Sequence, residues 1–420
     1  MKRILLSAAA LISLSNAMAQ GPVVIDTVIT GAGYGTNVWY SLQNDEQDTD
    51  VSTNWDIALA STASQTNPLT SSILFNSKVG KVYAIPNSNP ATSFDTLATV
   101  NFTALTPLVN DDSDWAMGAL RRASSTGMFD FGWGDYNSTT HSVIGSKVFV
   151  VVYNDNSKKK FYVNLISTQG KYEIISADLA NGAAQTTQNL VVTPYTTKNF
   201  VYYKINTNAV LDREPVSASW DFTFLQYDAT IAPNMQYLSF GVLNNVGIEA
   251  VKVTGVGNVA TFTNYQSQTF SDAANVIGYN WKNAQVQPAV VEDSTVYFVK
   301  TKDNNIWKLV FTKFTSGGTS NMNVFSKQNL TTLSVNELEK DVFVSVYPNP
   351  AVNAATVVVD SKVNTTVKVV SMTGQVVFET AASNGLTTTT ISTENFTNGV
   401  YLVQVSNGAA TSTQRLVVQH

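Results

Sequence analysis

Along most of the chain, apolar residues alternate with polar ones in short runs broken by Asn, Asp, Gly and Ser. Period-two spacing puts one set of side chains on each face of an extended segment, so these runs predict half-buried strands. Spacing suited to an amphipathic helix is scarce, and the expected fold class is mostly β. The densest series lies at the C-terminal end: "VFVSVY", "TVVVDS", "VKVVSM", "QVVFET", "TTTIST", "VYLVQVS" and "STQRLVVQ". Seven short runs rich in Val and Thr predict a small Ig-like β-sandwich over residues 342–420.

The same reading applied upstream shows a duplication. An aromatic-rich run leads into Trp-Asp twice, as "VWYSLQNDEQDTDVSTNWDIALAS" from Val38 and as "FVYYKINTNAVLDREPVSASWDFTFLQ" from Phe200. A glycine followed by an aromatic recurs in "FGWGDYN" (131–137) and "IGYNWKN" (277–283). The runs "VFVVVYNDNSKKKFYVNL" (148–165) and "VYFVKTKDNNIWKLVFTK" (296–313) align without a gap and read as hairpins, reversing at Asp155-Asn156 and Asp303-Asn304. Residues 20–185 and 190–330 are therefore expected to be tandem, related antiparallel β domains, joined by a polar linker (331–341) to the last domain. Alternation puts Trp55 on the face of Ile57 and Leu59, and Trp220 on the face of Phe222 and Phe224. Trp55-Asp56 and Trp220-Asp221 are read as scaffold, because a buried indole and a neighbouring carboxylate can each find hydrogen-bond partners in a strand core.

Composition narrows the classes. The 420 residues are 44% hydrophobic and 13% charged, enough for several cored domains. Residues 1–19 read as an export signal, with Lys2 and Arg3 before the apolar run Ile4–Leu14 and Ala17-Met18-Ala19 before the cut. The run is too short to anchor the protein, and the mature chain is expected to have no transmembrane segment. The net charge is −5; without Lys2 and Arg3, 23 basic face 30 acidic groups, giving −7. That balance argues against a nucleic-acid partner. With no cysteine, disulfides, thiolate metal sites and Cys nucleophiles are excluded. No G-x-S-x-G, H-E-x-x-H, P-loop or Rossmann pattern is present. The acidic runs Asn44–Asp50 and Asn110–Asp114 lack EF-hand spacing and are read as solvated turns.

The tail resembles the type A C-terminal sorting domain of the type IX secretion system of Bacteroidota. The resemblance rests on "YPNP" (Tyr347, Pro348, Asn349, Pro350), "VKVVSMTGQVV", "NGVYLVQV" and "QRLVV" in that order. It implies export through both membranes, to the cell surface or the medium, with the secretion machinery as partner. The central copies resemble the HmuY-like secreted haem-binding family, copy two most closely through "SWDFTF", "IGYNWK" and "VKTKDNNIWKL". That resemblance implies an all-β protein holding haem, taken freely or from a host haem protein, between extended loops.

The family commonly uses two axial histidines, whereas this chain has only His141 and His420, in different units. Haem iron also accepts Met sulfur. From the Trp of Trp-Asp to the glycine of the Gly-aromatic element there are 77 residues in copy one and 58 in copy two. In and beside the longer segment lies the expected site: Met117, Met128 and His141 as candidate haem ligands, Arg121 and Arg122 for propionates, Trp133 to stack on a ring and Trp115 as a further ligand-binding residue. The expected function is an exported, non-enzymatic ligand-binding protein, with haem as the expected cofactor. A surface adhesin or structural β protein, and a glycan hydrolase working with carboxylates alone, are the alternatives.

Overall fold

The computed structural model describes residues 21–61, 72–121, 127, 129–232, 235–284, 286, 288–315, 320–331, 342–406 and 411–420. The signal segment and nearly all of the expected linker lie outside them. The architecture is mostly β in antiparallel sheets, as the alternation predicts, with a compact unit ending at Thr331 and a second beginning at Thr332.

The first unit opens with β1 (Val24–Ile29), β2 (Thr36–Ser41) and β3 (Asp45–Val51), then β4 (Ile57–Ala60), β5 (Ile73–Phe75) and β6 (Gly80–Ala84). A hairpin of β7 (Gly134–Asn137) and β8 (Ser142–Gly145) precedes β9 (Phe149–Tyr153), β10 (Lys158–Ile166) and β11 (Lys171–Asp178). The order then repeats. β12 (Thr186–Val191), β13 (Phe200–Lys204) and β14 (Ala209–Leu211) correspond to β1–β3, and β15 (Phe222–Ala232), β16 (Met235–Asn244) and β17 (Glu249–Val253) to β4–β6. After the two-residue strands β18 (Lys282–Asn283) and β19 (Val290–Val291), β20 (Val296–Lys300), β21 (Ile306–Thr315) and β22 (Met322–Asn329) correspond to β9–β11.

Each copy gives its first three strands to the other. β12 pairs with β11, extending the sheet built on β10, β9 and β6, while β13 and β14 complete the order β14-β13-β4-β5. Reciprocally, β1 pairs with β22 in the order β1-β22-β21-β20-β17, and β2 and β3 complete β16-β15-β2-β3. The registers correspond: Tyr203 faces Ile57 and Val201 faces Leu59, as Tyr40 faces Phe222 and Val38 faces Phe224. Strand pairing thus crosses the expected boundary at 185–190, giving two intertwined sandwiches. A strand's pattern specifies which face is buried but leaves its neighbour open, and duplicated strands present equivalent edges. One core joins Ile57, Leu59, Phe149, Phe161 and Tyr172 to Val201 and Tyr203. The other joins Phe222, Phe224, Tyr297, Leu309 and Phe325 to Val28, Val38 and Tyr40.

Equivalent positions do equivalent work. Asn156 and Asn304 turn the two hairpins at positive φ (66° and 60°), and Gly132 and Gly278 share that region (83° and 64°). Trp133, one residue after its glycine, and Trp281, three after its own, are not at equivalent positions, yet each is buried in one of the two cores. The buried ammonium groups of Lys160 and Lys308, on matching strands, anchor loops through backbone carbonyls: Leu97 and Ala180 for Lys160, Ala260 for Lys308.

The Trp-Asp pairs are the most closely matched. Asp56 N–H donates to Tyr203 O at 3.0 Å and Asp221 N–H to Tyr40 O at 2.8 Å, each across the exchange. Asn76 Nδ2 donates to the carbonyls of Ser52 and Trp55, and Asn245 Nδ2 to those of Ser217 and Trp220. One expectation is corrected. Trp55 does not share the face of Ile57 and Leu59; it packs with Ala58, Ala60 and Tyr202 on the opposite face. The strands begin only after each Asp, where the chain bends, so parity does not extend back to the indole. Trp220 likewise leaves the core of Phe222 and Phe224 and lines a cleft with Thr223 and Leu225.

The second unit forms seven strands where the sequence places them: β23 (Val342–Tyr347), β24 (Ala354–Ser361), β25 (Thr365–Ser371), β26 (Val376–Ala382), β27 (Gly385–Ser392), β28 (Gly399–Ser406) and β29 (Thr411–Val418). Sheets β23-β24-β27 and β26-β25-β28-β29 enclose Val357, Val359, Val367, Val369, Val403 and Leu416. Tyr347 ends β23, and Asn349 ties the YPNP segment to β29: its Nδ2 donates to Arg415 O at 2.7 Å, and its Oδ1 accepts from Val417 N–H at 2.8 Å. Pro348 and Pro350 flank it, exposed.

Candidate functional site

The sheets β14-β13-β4-β5 and β16-β15-β2-β3 each carry a second apolar cluster on the face turned away from their cores, and Trp115 packs against both clusters. Between the sheets lies a cavity of about 60 Å³. Trp55 and Tyr202 line it from one sandwich, and Trp39, Trp220, Thr223 and Tyr227 from the other. The exchange of strands creates this arrangement, because Tyr202 and Trp39 occupy matching positions on strands given to the opposite copy.

The polar groups on the walls are unevenly satisfied. Trp55 Nε1, Trp220 Nε1, Thr223 Oγ1 and Tyr227 OH are all buried without a hydrogen-bond partner. A buried polar group left unpaired costs about 1–3 kcal/mol, so four around one cavity form an unusual concentration. The acids beside them are occupied. Glu214, only 2% exposed, accepts from Asn199 N–H at 2.5 Å and Tyr202 OH at 3.0 Å, and burial pushes its pKa up to about 7. Asp228 accepts from the Ser77 hydroxyl, and burial raises its pKa too. Asp112 accepts from Thr230 N–H and Oγ1 at 3.1 and 3.2 Å. Next to this cluster the buried Arg213 guanidinium sits 4.9 Å from the Tyr202 ring, 5.3 Å from Trp39 and 5.6 Å from Trp55. Its Nε donates to Asp50 at 3.1 Å. Ring faces, spare donors and carboxylates suit the binding of a small polar group. Among the described residues no cluster of three His, Asp or Glu side chains could hold a metal ion.

The residues expected to form a loop site occupy separate environments. Trp115 is half-buried at the cleft and donates through Nε1 to Asn244 O at 2.7 Å, linking the copies. Met117, half-buried, follows in the same segment, where its carbonyl accepts from Asp111 N–H at 2.9 Å. The Arg121 guanidinium lies 5.2 Å from the Phe131 ring. Trp133 is wholly buried in the first core, 6.5 Å from Tyr172, and has no face for a ligand, which corrects its reading as a stacking partner. His141 is exposed at the β7–β8 turn, with Nδ1 2.8 Å from Tyr136 OH. Arg122 and Met128 lie outside the described residues. The acidic run Asn110–Asp114 is also corrected: Asp112 is buried and clasps β15 of the other copy, while Asn110 bonds both backbone groups of Phe75.

Glu214, Thr223 and Tyr227 escaped the sequence reading. Thr223 carried a signal, as the polar residue between Phe222 and Phe224, but solvent was the natural reading of that face. Glu214 carried none, because its partners are defined by how the two sandwiches interlock.

Residues 345–419 match the family model described as the secretion system C-terminal sorting domain. The tail therefore marks the protein for export by the type IX system across both membranes, to the cell surface or the medium, and implies contact with that machinery. No helix among the described residues is long and apolar enough to cross a membrane. No curated protein matches the chain. Among solved structures, PorZ, an essential bacterial surface component of the type-IX secretion system of Porphyromonas gingivalis, is similar at 12% identity and a TM-score of 0.17. The match covers 68% of this chain and 41% of PorZ, so the chain spans about two fifths of that protein. The HmuY-like resemblance of the central copies is not shown by these comparisons.

Proposed function

We propose that the mature protein is an exported, non-enzymatic binding protein whose ligand reaches the cleft between the intertwined sandwiches. The observation that carries this reading is the group of four buried, unpartnered donors around one cavity. A binding protein keeps such groups unpaired because the ligand supplies their acceptors. Tryptophans line the cavity on both sides, so binding should shift the intrinsic fluorescence. Titration of the mature chain with a small-molecule library tests this, and the absence of any saturable change would remove the reading.

Haem is the more specific form of the proposal. A porphyrin plane does not fit a cavity of about 60 Å³, so haem would lie against the outer segment that carries Met117. A saturable Soret shift on adding haemin, lost in Met117→Ala, supports it; no shift at micromolar protein rules it out. The adhesin reading draws on exposed Ile231, Met235 and Tyr237 of β15 and β16. Binding to cells or matrix that is lost when those three residues become Ser would favour it.

A further inference from the structure

We infer that the cleft recognises a neutral, hydroxyl-rich ligand: a terminal sugar of a glycan, inserted edge-on between the two sandwiches. This inference rests on the cleft being the ligand site. The chemistry of its walls narrows the ligand. The carboxyl groups of Asp112, Asp228 and Glu214 line the cavity, and whether protonated or not none of them offers an anion a positive charge. Of the spare groups, the two indole N–H donors need an acceptor that a cation does not offer, while the two hydroxyls can either donate or accept.

A ligand hydroxyl both accepts and donates, so one class of group serves both kinds of wall. The apolar C–H faces of a pyranose suit the ring faces of Trp39, Trp55, Trp115 and Trp220. The volume sets how far the ligand enters. About 60 Å³ is room for roughly two waters at about 30 Å³ each, so only one arm of a ring, such as its hydroxymethyl group, would enter fully. The rest of the glycan would leave past the half-buried residues Asn110, Asp111, Trp115 and Gln226.

Unpartnered donors kept for a ligand have a two-sided signature. Removing one without changing shape should leave the free protein as stable or more stable, and should weaken binding. Thr223→Val and Tyr227→Phe are such changes. The test titrates the mature chain with glucose, galactose, mannose, N-acetylglucosamine, N-acetylneuraminic acid and their short oligomers, with haemin and a fatty acid as comparators, read by tryptophan fluorescence and calorimetry. The expected result is saturable binding of at least one neutral saccharide, weakened about tenfold in each variant while Tm stays level or rises. Equal binding by wild type and both variants would place the sugar elsewhere and overturn the inference. Binding of haemin or fatty acid alone would overturn it while leaving the cleft reading in place. No binding by any compound would remove both.

Discussion

The two sandwiches are assembled from matching strands, yet they are closed from opposite directions along the chain. The first runs from β4 to β14 without leaving residues 57–211. The second begins at β15 and is completed by β1–β3, so Asn323 Nδ2 reaches Val28 O across 295 positions. Their locks differ as well. At the first closure Tyr203 OH donates to Asn208. At the second, the matching Tyr40 OH donates to Asp26 at 2.5 Å, and the buried Lys327 ammonium pairs with Asp45, 4.9 Å from the Tyr40 ring. At the matching tyrosines, the local closure thus uses an amide partner, while the remote one uses a carboxylate with an ammonium beside it. Closing a longer loop costs more chain entropy, though only slowly with length, and a charge-assisted bond is the stronger clasp.

The most drastic way to break this comparison is to remove residues 21–51. The first sandwich keeps all its strands, while the second loses β1–β3 with Val28, Val38 and Tyr40 from its core. Hydrogen exchange should show protection lost across 222–329 and retained across 57–211. Equal loss in both would mean that the sandwiches fold only as one.

A single-residue version compares the two aspartates. Asp56 accepts from Tyr153 OH, Ile205 N–H and Asn206 N–H at 2.7, 2.8 and 3.3 Å, whereas Asp221 accepts from Leu42 N–H at 2.7 Å. In urea melts Asp56→Ala should cost about 3–5 kcal/mol and Asp221→Ala about 1–3 kcal/mol. Equal costs would mean that the two aspartates bear equally on their closures despite their different partners.

Glu214 gives a smaller, pH-dependent effect, on a buried acid in the connection between the sandwiches. Its folded pKa, about 7, is above the ordinary value of 4.5, so the folded state holds a proton that the unfolded state releases. Stability from this group is therefore greatest below pH 4.5 and falls as pH rises toward 7, by up to about 3 kcal/mol. Glu214→Gln should flatten that part of the stability profile. An unchanged slope would assign it to other groups.

Much of this organisation was legible in the sequence. The duplication could be read because turns and hairpins are local: Asn156 and Asn304 sit where the chain reverses, whatever lies beyond. The tail could be read for the same reason, since each of its strands pairs within the second unit. The exchange of strands could not, because alternation in "VWYS" or "FVYY" defines a buried face without naming the neighbouring strand. That gap also hid the cleft. The sequence shows Trp55 and Trp220 as equivalent, but alternation puts them on the wrong face, since a bend at each Asp breaks the parity. Trp115, which the sequence places in a loop site, bridges the copies, while Trp133 in the same stretch lies in the core.

The exchange itself can be tested directly, because the chain has no cysteine to interfere. Thr27 faces Val324 across β1 and β22. Had each copy kept its own first strand, Thr27 would stand where Asn189 does, opposite Glu173. Thr27→Cys with Val324→Cys should oxidise to an intramolecular disulfide in dilute, monomeric protein, and Thr27→Cys with Glu173→Cys should stay reduced. The opposite result, a bridge from position 27 to 173 and none to 324, would contradict the intertwined architecture and the cleft that depends on it.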